Sequence, residues 1–125
     1  MAGFVEDLLV YQKAREEEKA ISAILERPAF RKFPELRQQM DETSARVPRH
    51  ILEGSGQKTD RHFAHFLFVA RGEAQEMRGL LNSAQVRRCI SLAELNDHAG
   101  QYLEIAKMLT GLAAHLEREN RKFRA

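Results

Sequence analysis

Residues 91–119, SLAELNDHAGQYLEIAKMLTGLAAHLERE, decide the fold class. Leu92, Leu95, Ala99, Tyr102, Ala106, Leu109, Ala113 and Leu116 recur at alternating steps of three and four, the spacing that lines one face of an α-helix. Ser91 and Glu94 stand at capping-box spacing ahead of that stripe, where a hydroxyl and a carboxylate satisfy amides that a first helical turn leaves unpaired. A helix over 91–119 is therefore predicted, with its start written into the sequence.

The same periodicity extends outward from this segment. Over 60–84, Phe63, Phe66, Ala70, Ala74, Met77, Leu81 and Ala84 form a second stripe, with Thr59 or Asp60 as its N-cap. Over 35–53, Leu36, Met40, Thr43, Val47 and Ile51 form a third. Pro48 interrupts it, lacking the N–H that would reach the Ser44 carbonyl, and predicts a kink. Over 5–26 the stripe has good ends, Leu9, Val10 and Ala14 and then Ile21, Ile24 and Leu25, but its middle falls on Glu16-Glu17-Glu18-Lys19. A slight rotation that leaves these acids in water is expected; the alternative is a buried carboxylate with a partner. Gly54-Ser55-Gly56 reads as a helix stop and a tight turn, Gly54 taking the left-handed conformation.

No period-two alternation lies between these stretches, and 125 residues suffice for one domain and one core, spanning 1–125. Rods of about twenty residues are roughly 30 Å long at 1.5 Å per residue, so the four can share one seam. The predicted fold is all-α: an antiparallel up-down-up-down four-helix bundle with a proline kink in its second helix and a basic tail over 120–125.

Composition excludes several classes. With 43% hydrophobic and 30% charged residues the chain is neither disordered nor collagen-like, and a single cysteine, Cys89, precludes an internal disulfide. No N-terminal apolar run resembles a signal peptide or spans a bilayer, so a cytoplasmic location without membrane attachment is expected. Neither Glu-x-x-His nor His-Glu-x-x-His nor paired-cysteine spacing occurs, and His62 and His65 lack companions, so no metal and no cofactor are expected. Gly54 to Thr59 lacks phosphate-loop spacing and follows a helix where that motif needs a strand. Cys89 beside Arg87 and Arg88 has no assigned base and is expected to be inert. An enzyme using Glu53 with His50 or His62 rests only on their convergence near the second turn; the protein is expected to be non-enzymatic.

A net charge of +2 names no partner, but the placement of the cations is informative. In the expected topology Arg27, Arg31, Lys32 and Arg37 meet Arg87 and Arg88 at one end, against Glu26 and Glu35. At the other end Arg49, Lys58 and Arg61 meet Arg118, Arg121, Lys122 and Arg124. Such poles attract phosphates in a salt-dependent way, while cations at helix ends also complement the macrodipoles. Apolar residues left over once the seam is filled, Phe68, Leu103, Ile105 and Leu112, point to a contact between subunits.

Three segments carry a family resemblance: Asp7-Leu8-Leu9-Val10-Tyr11-Gln12-Lys13-Ala14, then Val47-Pro48-Arg49-His50-Ile51-Leu52-Glu53-Gly54-Ser55-Gly56, then Phe63 to Ala70 with Glu76 beyond. In this order and spacing the chain resembles the four-helix-bundle proteins encoded in intervening sequences of bacterial 23S ribosomal RNA genes; its most specific motif is Pro48, Ile51, Glu53 and Gly54. More distantly it is similar to the accessory protein of diversity-generating retroelements, a basic ring of bundles that binds nucleic acid and a reverse transcriptase. The resemblance implies a cytoplasmic homo-oligomer, a ring of five, without enzymatic activity and with RNA or DNA as partner. His50 departs from the family pattern, where Asn is usual; so do Gln57, where Arg is common, and Gly72-Glu73-Ala74, where a Gly-Ser pair is usual. The Glu16 to Glu18 run replaces a position more often apolar. The reading that results is a self-associating scaffold or adaptor with weak nucleic-acid binding through Arg27, Arg31, Lys32, Arg87 and Arg88 at one pole and Arg121, Lys122 and Arg124 at the other. The alternative is a protein-interaction module whose cations serve solubility.

Overall fold

The capping box forms as read: the Ser91 amide donates to Glu94 Oε1 at 2.9 Å, and the Glu94 amide donates to Ser91 Oγ at 3.1 Å. The computed structural model describes residues 8–124, with side chains placed through residue 119. Its elements are α1 (Leu9–Ile24), a short 3-10 helix (Pro28–Lys32), α2 (Pro34–Ser55), α3 (Asp60–Val86) and α4 (Leu92–Arg124), and no strand occurs among the described residues. Thr59 caps α3, its hydroxyl accepting from the His62 amide at 3.2 Å. Pro34 opens α2, where its missing N–H costs nothing, and α2 runs unbroken past Pro48, which is buried. α4 extends five residues beyond the predicted end. The predicted start at residue 5 and the tail side chains of Arg121, Lys122 and Arg124 lie outside the described residues.

α3 packs along both α2 and α4, while α1 lies against α2 and, over a shorter stretch, α4. A helix with two neighbours needs a stripe wider than one seam, and this explains where the sequence reading has to be corrected. Ile105, expected on an outer face, is fully buried, because it continues the stripe three residues after Tyr102 and four before Leu109. Leu112 is partly buried and packs on the core, and Leu103 is half-buried. Phe68 alone of the four expected interface residues is openly exposed, at 36%. Leu92, assigned to the seam, is instead 59% exposed at the first turn of α4, ahead of the point where the stripe meets a neighbour.

Phe30, Ile21, Met40, Val47, Ile51, Leu67, Met77, Leu81, Tyr102 and Leu109 make the centre of the core. Each such side chain contributes about 1.5–3 kcal/mol on burial. Gly54 is part of this packing rather than a left-handed stop: no described glycine has positive φ, and Gly54 is buried within α2. A Cβ there would lie 2.7 Å from Phe66 Cβ and 3.0 Å from Phe63 Cδ1, so its role is to let α3 approach closely. No helix among the described residues is long and apolar enough to cross a membrane.

Candidate functional site

The first and third connections meet at one end of the molecule. Arg27 donates to both Glu94 oxygens, 2.9 Å to Oε1, and also to the Cys89 carbonyl at 3.3 Å, bridging the two connections. With the Ser91 amide, Arg27 pulls the Glu94 carboxyl down to about 2. Arg27 is thus a strut between the connections, its charge already matched. Arg37 donates from Nε to the Leu25 carbonyl at 3.1 Å.

The other cations of this end remain available. Arg31, Lys32 and Arg88 are exposed and make no ion pair among the described residues. Arg87 is exposed as well; its guanidinium lies over the Phe33 ring at 5.6 Å and donates to the Ser83 carbonyl. Glu26 and Glu35 are the unpaired acids nearby, so the balance is positive.

Backbone geometry fixes the place of one of these cations. Arg88 has φ 61°, the one non-glycine residue in the left-handed region among the described residues. Its amide donates to the Gln85 carbonyl and that of Cys89 to the Ala84 carbonyl, both at 2.9 Å, which is the Schellman closure of α3. Glycine usually occupies that position, since a Cβ there costs about 1–2 kcal/mol. Cys89 and Ala84, both buried, complete the motif from the core side. Burial pushes the Cys89 thiol up against the opposing pull of Arg87, in keeping with an unreactive cysteine.

Between α2 and α3 at the same end lies a half-open cleft of about 410 Å³, with Phe33, Leu36 and Leu80 as its apolar wall and Lys32, Glu35 and Arg87 as its charged rim. Sequence reading singled out its cations but not Phe33; an aromatic directly after Arg31 and Lys32, in a stretch without periodicity, is the signal that marks it.

Two carboxylate–histidine pairs cross the bundle elsewhere. Glu17 Oε2 lies 2.9 Å from His98 Nδ1, joining α1 to α4, with the two side chains only 12% and 13% exposed. The expectation that the acids of α1 stay in water fails for Glu17: its partner sits 81 positions away, beyond the reach of any local pattern. Burial is the largest influence on the Glu17 carboxyl and raises its pKa, partly offset by His98. The nearby Tyr102 hydroxyl is buried without a hydrogen-bond partner among the described residues, and burial with Glu17 and Glu18 raises its pKa. Between α2 and α3, His50 Nδ1 lies 2.5 Å from Glu73 Oε1, and Arg46 approaches the other oxygen at 3.9 Å. The Glu73 carboxyl is likewise raised by burial, with His50 and Arg46 pulling the other way. His50 therefore turns to Glu73 and not to Glu53, which is exposed. No group of three or more His, Cys, Asp or Glu side chains among the described residues is placed to hold a metal ion.

These observations define an all-α four-helix protein whose crossing polar pairs are internal struts and whose unpaired cations gather beside a cleft at one end. The chain belongs to the 23S rRNA-intervening sequence protein family, whose model matches residues 6–111. Neither a curated protein nor a solved structure matches it.

Proposed function

We propose that this protein is a non-enzymatic, cytoplasmic, self-associating scaffold or adaptor that binds RNA or DNA weakly through its basic pole. In this reading the helices run up-down-up-down with a bend at Pro48, and copies assemble into a closed homo-oligomer, a ring of five. The observation that carries the binding part is the grouping of Arg31, Lys32, Arg87 and Arg88 without carboxylate partners. Self-association rests on exposed Leu9, Leu52, Phe68, Val86 and Leu92, and repetition of the pole around an oligomer multiplies weak contacts.

Filter binding to RNA and to DNA across a salt series tests the electrostatic part. Four phosphate contacts give a slope of log affinity against log salt of roughly −3 to −4. Absence of binding at low salt, or no loss when Arg87 and Arg88 both become Ala, refutes it. A second reading, a protein-interaction module, is favoured by the groove of about 250 Å³ between α1 and α2, where Tyr11, Pro48 and exposed Leu52 meet Arg15, Glu18 and Arg49. A partner that survives nuclease treatment in a pull-down supports that reading over the first.

A further inference from the structure

We infer that the cleft between α2 and α3 seats one unpaired nucleotide, so that the protein prefers single-stranded nucleic acid to duplex. This rests on the nucleic-acid reading and sharpens it. The cleft of about 410 Å³ falls within the roughly 300–1,000 Å³ typical of small-ligand sites. Its wall combines an aromatic ring, Phe33, with the flat guanidinium of Arg87 already lying over that ring. Aromatic and guanidinium planes are the two surfaces on which unpaired bases stack. Leu36 and Leu80 supply apolar flanks, Lys32 supplies a charge for the phosphate, and the Glu35 carboxylate is an acceptor suited to an exocyclic amine of a base.

The surroundings select the same occupant. Unpaired Arg31 and Arg88 adjoin the cleft lining in sequence and extend its positive rim, so the neighbouring phosphates of a strand meet charge complementarity. The walls come from the start of α2 and the end of α3, and no strand edge occurs among the described residues for an extended peptide to pair with. A duplex presents its bases edge-on inside the stack and cannot offer a planar face to a cleft of this size.

The test is fluorescence polarisation of a labelled single-stranded RNA 12-mer and of the blunt duplex of the same sequence, at low salt, with the full-length protein. The single strand is expected to bind at least about tenfold more tightly. Phe33→Leu and Arg87→Lys, the latter keeping the charge, should each erase most of that preference by weakening the single-stranded complex. Equal affinity for both forms, or a preference that survives both substitutions, overturns the cleft inference and leaves the basic-pole reading standing. Absence of binding by either form overturns both.

Discussion

Replacing Arg88 by glycine should make the protein more stable and a poorer nucleic-acid binder at once. The left-handed conformation at φ 61° costs about 1–2 kcal/mol for a residue with a Cβ, and glycine removes that cost. Glycine adds chain entropy to the unfolded state, worth about 0.5–1 kcal/mol in the opposite direction. The net expected gain is about 0.5–1 kcal/mol, or about 2–5 °C in Tm for a chain of this length. No ion pair offsets it, because Arg88 makes none among the described residues. Arg88→Ala is the control: it discards the charge and keeps the Cβ, so its stability should stay within about 0.5 kcal/mol of the native protein. Thermal melts and urea titrations of the three proteins measure the backbone contribution as the Gly–Ala difference. Both variants should lose one phosphate contact, lowering the salt slope for RNA binding by roughly 0.7–0.9. A glycine variant that melts below the alanine variant refutes the strain argument; unchanged RNA affinity in both refutes the assignment of Arg88 to the binding surface.

Gly54→Ala should destabilise by about 1–3 kcal/mol, seen as a lowered urea midpoint, because the new methyl group would lie 2.7 Å from Phe66 Cβ and force α2 and α3 apart. Glu17→Gln should match or exceed native stability at neutral pH. The raised carboxyl is a contribution fully favourable below its ordinary value and lost as pH rises through the folded value, so the variant's advantage should vanish on acidification. Glu94 works in the opposite sense: its carboxyl lies at about 2, so the stability from the Arg27 strut is present above the ordinary carboxylate value and lost as pH falls toward 2. Glu94→Gln should flatten that acid limb in a pH series of unfolding curves. Phe68→Ser should reduce the mass measured by light scattering toward that of one chain without lowering helicity, since Phe68 is partly exposed; Ile105→Ala should instead cost about 2–5 kcal/mol of fold stability.

Local patterns transferred well from sequence to structure. The Ser91–Glu94 box, the Thr59 cap and, from Tyr102 to Leu116, the α4 stripe depend on residues within a turn or two of one another, and they stand where the spacing puts them. What escaped depends on neighbours distant in the chain. Glu17 looked like a solvated acid because His98 is not visible from α1, and Ile105 looked spare because heptad counting assumes one neighbour where α4 has two. Gly54 was recognised as special for a reason of backbone freedom, whereas its reason is the proximity of Phe63 and Phe66. His50 and Glu73, which stand in separate segments of the sequence, touch. The basic end was legible as a set of cations; which of them are matched was not, because Arg27 finds Glu94 only once the connections meet. The left-handed turn is not legible in the sequence because glycine or asparagine ordinarily marks one, and here the chain has arginine.

α1 lies against α2 and only briefly against α4, with Glu17 and His98 as its latch. The latch joins residues 81 positions apart, so closing it costs more chain entropy than docking α1 on the adjoining α2.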